Sequence, residues 1–293
     1  MKKSGIQRLQ TYLNGNGNNL VVDGIWGEKS KKAYLNTWKA AESAELKDIG
    51  FVEWECIKHA SRHPKVTKVG NLQENFIVGI GAGHSGVFDN DWIYPTAPSK
   101  MYRHSKMMHY GNTFYEGYEN RVVSEMLIRE LTYKGIQTVR LYDATLDTKP
   151  NMRSDNFIEM LDAGYFGVAI DIHSNAIDGT PEQKEKTQGS CIYTSIGENK
   201  SDQLSNYHYE SWKDVFKNDM NIRQNKYDPS GDYEANFSFL KHADQGTPDC
   251  IAMLEEFGFF TSQQDAEFII NNRERRVESL VRTILKAKHN LFV

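Results

Sequence analysis

Residues 167–179 read GVAIDIHSNAIDG, an apolar run that stops on His173 and continues into Ser174 and Asn175. Such a run, starting just after Gly164 and too short for a helix of ordinary length, predicts a strand buried on both faces, the kind that parallel sheets contain. Its histidine then stands at the carboxyl end of a parallel strand. In open α/β sheets, that edge is where active sites gather.

The same rhythm extends outward from this strand. NFIVGIGAG (75–83) and IQTVRLY (136–142) read as strands, while NRVVSEMLIRELTYKG (120–135) and SDNFIEMLDAG (154–164) read as helices closed by Gly135 and Gly164. FGVAIDIHS (166–174), SCIYTSIG (190–197), NFSFLKHA (236–243) and CIAMLEEFGFF (250–260) complete the strands, and DAEFIINNRERRVESLVRTILKA (265–287) predicts one final helix. Strands alternating with helices predict an α/β fold with a mostly parallel sheet flanked by helices.

Ahead of this lies a small helical module over residues 1–45. Ile6, Leu9 and Leu13 recur at helical spacing, NGNGNN (14–19) breaks that helix, and EKSKKAYLNTWKA (28–40) begins another. Residues 46–74 are charged and carry Pro64 and Gly70, so they read as a joint, with a short helix expected over 49–60. Residues 75–293 form the main domain.

Composition narrows the function classes. The chain has 293 residues, 39% hydrophobic, with a formal net charge of −4, and residues 1–74 carry 12 Lys+Arg against 8 Asp+Glu. It has no basic run interleaved with aromatics, so nucleic acid is not an expected partner. No stretch approaches the roughly 18 apolar residues of a membrane span, and MKKSGIQRLQTYLNG turns polar where a signal peptide would be apolar. Cys56, Cys191 and Cys250 lie far apart without a CxxC pair, which predicts buried, reduced thiols.

Two histidines fall at strand ends: His173, and His84 within GAGHSG (81–86), where glycines admit a close backbone approach. A hydrolytic zinc needs a third protein ligand and an open position. Glu116 and Glu119 in FYEGYENRVV both stand at the start of the first helix, within reach of the strand ends. Glu255 and Glu256 end the last strand, and either offers an unligated carboxylate for proton transfer. Asp171 sits two residues before His173, on the same strand face. A hydrogen-bonding role toward that histidine, a core hydrogen bond and a solvent-facing position are all open to it.

Two resemblances sharpen this reading. LQTYLN followed by VDGIWGEKSKKAY resembles the helical peptidoglycan-binding domain of cell-wall hydrolases, with its V-D-G-x-[WF]-G turn. GAGHSGVFD, EGYEN, DIHSNA, QGSCIYT and PDCIAMLEEFGFFTSQQDAEFI, in that order across residues 76–290, resemble the zinc-dependent N-acetylmuramoyl-L-alanine amidases of the amidase_3 type. The resemblance implies their phosphorylase/hydrolase-like sheet. It also implies zinc (Zn2+) held by His84, Glu116 and His173, with Glu116 favoured over Glu119 by its spacing to Asn120. Glu256 inherits the catalytic carboxylate role through Gly258 and Phe259.

The implied activity is cleavage of the amide between N-acetylmuramic acid and L-alanine in peptidoglycan. The implied setting is a monomeric, phage endolysin-like enzyme, held in the cytoplasm until it is released to the cell wall. This chain departs from the family at Ser85 and Asp171, and in a long polar insert (89–113) whose Trp92, Tyr94 and Tyr102 are candidates to touch glycan or peptide. A second polar segment (200–233) reshapes the cleft walls. The alternatives are a zinc carboxypeptidase, against which the absence of an HxxE pair speaks, and a non-catalytic wall-binding protein.

Overall fold

A computed structural model describes residues 7, 10, 14, 19–25, 27–30, 32–33, 65–67, 75–84, 87–89, 92–94, 100–107, 112–142, 147–197, 200–245 and 250–292, with backbone alone at 65–67, 87–89, 92–94 and 245. The helix expected over 49–60, Cys56, Trp26, the side chains of Trp92 and Tyr94 and most of the expected N-terminal module lie outside the described residues.

Seven strands form one sheet, in the order β1 (Lys65–Thr67), β7 (Gln137–Arg140), β2 (Phe76–Ala82), β8 (Phe166–Asn175), β11 (Cys250–Phe259), β9 (Cys191–Thr194) and β10 (Tyr233–Glu234). The central four, β7, β2, β8 and β11, run parallel. β1 is antiparallel to β7, and β9 is antiparallel to β11. Two hairpins stand apart, β3 (Val87–Asp89) with β4 (Trp92–Tyr94) and β5 (Met101–Arg103) with β6 (Thr113–Tyr115). The sheet is mostly parallel, as the sequence predicts. β1 falls within the segment read as a joint.

Helices cover both faces: α1 (Glu116–Tyr133), α2 (Pro150–Asp162), α3 (Pro181–Lys186), α4 (Lys200–Phe216), α5 (Ser238–Gln245), α6 (Gln263–Asn271) and α7 (Arg273–Leu291). Strand alternation sorts the side chains. Val78, Ile80, Ile170, Ile172, Ile251 and Met253 pack with Val122 of α1, Trp212 of α4 and Leu280 of α7. Ile77, Ala169, Ala252 and Leu254 face Phe157 of α2 and Phe239 and Leu240 of α5. Each large aliphatic or aromatic side chain buried in this way contributes about 1.5–3 kcal/mol.

The connections leaving β2 and β8 run to opposite sides of the strand order, which places a switch point between their carboxyl ends. α1 stops just before Gly135, and α2 just before Gly164, both glycines at positive φ (74° and 88°). Cys191 and Cys250 are buried free thiols.

Three local expectations are corrected. NFSFLKHA is not a strand: Ser238–Gln245 is helical, because Phe239, Leu240 and Ala243 lie at helical spacing and bury one stripe against α2 and β11. The final helix is two, broken at Asn272, whose φ of −119° leaves the helical region and whose carbonyl accepts from the Arg276 amide. Residues 200–216, read only as part of a polar segment, form α4, whose Leu204, His208, Tyr209, Trp212 and Phe216 are buried.

Candidate active site

β2 and β8 pair in parallel with Gly81 beside Asp171 and Ala82 beside Ile172, so the chain that leaves β2 delivers His84 next to His173. Their rings meet edge to face at 5.0 Å between centroids. His84 has a φ of 48°, in the left-handed region that costs an L-residue about 1–2 kcal/mol. Its backbone is held in place from α1. Arg121 Nη1 donates to the His84 carbonyl at 2.7 Å, and Asn120 Nδ2 donates to the Gly83 carbonyl at 3.0 Å.

Gly81 and Gly83 leave the space these side chains need. A Cβ at Gly83 would overlap the His173 ring, and one at Gly81 would overlap the Asp171 carboxylate. Close packing of strand against side chain therefore requires both glycines.

Glu116 is the first residue of α1 and is fully buried. A helix N-terminus favours its negative charge. Its Oε1 accepts from the Ser174 amide at 3.2 Å and lies 3.1 Å from His173 Nδ1 and 3.9 Å from His84 Nε2. Burial alone raises the carboxyl's pKa, but His84 and His173 outweigh it and hold the group well below the usual carboxylate range. Its Oε2 is buried without a hydrogen-bond partner, with Lys100 Nζ at 4.0 Å.

His84, Glu116 and His173 each offer a ligand atom, and the three atoms lie within 4.8 Å of one another. Burial lowers the His84 pKa to about 3, which keeps its nitrogen lone pair free at neutral pH. Two imidazoles and one carboxylate, whose second oxygen is buried without a partner, make a donor set that fits a divalent metal with an open position. Glu119 takes no part: it pairs with Arg273 at 2.5 Å.

Glu256 stands directly across from His173 in the β8–β11 register. Its Oε2 is buried without a hydrogen-bond partner, and burial pushes its pKa up to about 7, with Glu116 adding to the rise and His173 opposing it. Glu255, one residue earlier, faces the other side of the sheet. There it accepts from Arg276 Nε at 2.8 Å and lies 3.0 Å from His208 Nε2. Burial works against its charge, but Arg276 and His208 hold its pKa below the usual value.

Asp171 is buried, not solvent-facing. Its Oδ2 accepts from Arg153 Nη2 at 2.7 Å and lies 3.3 Å from His173 Nε2. Sequence reasoning missed Arg153 and Arg276. Arg153 shares a helical stripe with Phe157 and Leu161, both buried, and a charge on that stripe was the available signal. Arg276 Nη2 donates to the His173 carbonyl at 2.9 Å and so ties α7 to the site strand. Of the insert aromatics, Tyr102 packs partly buried, with the His104 ring at 4.9 Å and Lys184 Nζ at 4.8 Å over its ring.

No protein-family model matches the chain, and no curated protein matches it in sequence. Solved structures match its fold. N-acetylmuramoyl-L-alanine amidase from Clostridium difficile 630 superposes with a TM-score of 0.54 at 21% identity, over 75% of this chain and 99% of that one. This chain has the fold of these amidases. AmiC2 of Nostoc punctiforme (0.53, 17% identity, 74% and 98% covered) and Ami1 from Mycobacterium smegmatis (0.53, 16% identity, 73% and 96% covered) share the amidase fold over the same large part of the chain. Among the described residues, no helix is long and apolar enough to cross a membrane.

Proposed function

We propose that the chain is a zinc-dependent peptidoglycan amidase that hydrolyses the bond between N-acetylmuramic acid and the L-alanine of the stem peptide. The observation that carries this reading is the placement of an unpartnered carboxylate, Glu256, in register with His173 of the His84–Glu116–His173 cluster. The shared fold with N-acetylmuramoyl-L-alanine amidases supports the choice of bond. Histidines 84 and 173 with Glu116 would hold the zinc, which would supply Lewis acidity toward a carbonyl and toward water.

The rest is the work of the chain. Glu256 Oε2 takes the proton of the attacking water and returns it to the departing amide nitrogen, a task suited to a carboxyl held near neutrality. Arg276 and Arg121 fix the backbone carbonyls of His173 and His84, so the two imidazoles keep their spacing. The left-handed turn at His84 and the glycines before it bring the cluster together at the carboxyl end of the parallel strands.

The motif resemblance further supports a wall-binding module at residues 1–45, and with it the setting of a phage or prophage lysin that acts on the cell wall. Within the described part of that module, Gln10 accepts from the Gly24 amide at 2.9 Å and donates to Asp23 Oδ1 at 2.8 Å, which fixes the Asp23-Gly24 turn.

The test uses a soluble muramoyl-L-alanyl peptide. Zinc-loaded protein should release an L-alanyl amino terminus, and chelated protein should not. Glu256→Gln protein that still binds zinc should release that terminus about 10²–10⁴-fold more slowly. A zinc-loaded, folded protein that leaves this bond uncut removes the proposal.

A further inference from the structure

His173 is held from both sides. Its Nδ1 faces Glu116 Oε1 at 3.1 Å, and its Nε2 faces Asp171 Oδ2 at 3.3 Å. Asp171 is itself clamped, because Arg153 Nη2 donates to that same Oδ2 at 2.7 Å while Arg153 Nη1 donates to the Thr148 carbonyl at 2.6 Å. Both charged side chains are buried: Asp171 is 0% and Arg153 2% exposed. A buried ion pair is a poor stabiliser relative to apolar packing of the same volume, since desolvation offsets most of the attraction. The surrounding chain nevertheless makes room for it, for Gly81 lacks the Cβ that would overlap the Asp171 carboxylate and Gly83 the one that would overlap the His173 ring.

We infer that Asp171, anchored by Arg153, is a positioning residue: it accepts the Nε2–H of His173, fixes the ring's tautomer and turn about its axis, and so presents Nδ1 to the metal. The inference rests on the metal site proposed above. Metal-binding histidines commonly donate their second ring N–H to a carboxylate, which raises ligand basicity and fixes orientation. Here the carboxylate comes from the same strand, two residues away on the same face, and its own rotamer is set from α2. The chain thus preorganises one imidazole through a helix that contributes no ligand.

The test reads zinc affinity and tautomer, independent of turnover. Zinc affinity is measured by competition with a chromophoric chelator on wild type, Asp171→Asn and the double variant Arg153→Met/Asp171→Asn, with thermal unfolding of each. Nitrogen NMR of zinc-loaded wild type reads the His173 tautomer. Expected are an Nε2–H tautomer in the wild type and an affinity loss of about 10–100-fold for Asp171→Asn. The double variant, which no longer buries an unpaired guanidinium, should recover thermal stability but not affinity.

Three results overturn the inference: an Nδ1–H tautomer in zinc-loaded wild type, unchanged affinity in folded Asp171→Asn, or affinity returning with stability in the double variant. Wild-type protein that binds no zinc overturns the metal reading as well. If wild-type protein binds zinc and the variants bind it equally well, only the positioning role falls.

Discussion

Glu255 and Glu256 are neighbours on β11, yet they point to opposite faces of the sheet. Glu256 faces the side of His173, and Glu255 is locked between Arg276 and His208. The two carboxylates therefore fail differently. Glu256→Gln should leave the unfolding midpoint and zinc binding near wild type while lowering kcat about 10²–10⁴-fold, the usual weight of a general acid–base group. Glu255→Gln should instead cost about 3 kcal/mol or more in urea unfolding, because it leaves the buried Arg276 without its counter-charge.

The same pair sets an acid limit on stability. The folded-state pKa of Glu255 lies below its ordinary value of 4.5, so its contribution is present above pH 4.5 and is lost as pH falls through the lower, folded value. Urea midpoints of the wild type should therefore drop as pH is lowered from 4.5. Glu255→Gln protein, weaker at neutral pH, should show a shallower drop over that window.

Much of this was legible in the sequence, for a physical reason. A parallel strand buried on both faces is a local signal, so the apolar runs ending near His84 and at His173 mark the sheet and the edge where these residues cluster. Choosing Glu256 over Glu255, or Glu116 over Glu119, depends on which face a residue takes and on partners far along the chain. Arg273 claims Glu119 from 154 residues away, and Arg276 claims Glu255. Phe237 and Phe239 alternate like a strand, while the stripe that makes α5 a helix, Phe239, Leu240 and Ala243, is defined by what it packs against.

Gly83→Ala tests the close approach of β2. Its new methyl group meets the His173 ring, so either the ring or the strand must shift. The expected cost is about 1–3 kcal/mol in stability. Chelator competition should show weaker zinc binding in the same variant, whereas Gly135→Ala, where a Cβ meets nothing within 4 Å, should bind zinc normally.

Zinc should also stabilise the fold. A ligand at 100 times its Kd that binds only the native state adds about 2.7 kcal/mol. Wild-type Tm should rise on zinc addition and fall back with a chelator. His84→Ala, which removes one of the three donors of the cluster, should show little of this response.

The most direct single measurement is mass spectrometry of the fragments released from purified peptidoglycan by the zinc-loaded chain. Free stem peptides with new L-alanine amino termini and intact glycan strands, absent after chelation, are the predicted result. Cleavage within the glycan, cleavage between peptide residues, or no release from several wall types by folded, zinc-loaded protein would contradict the account.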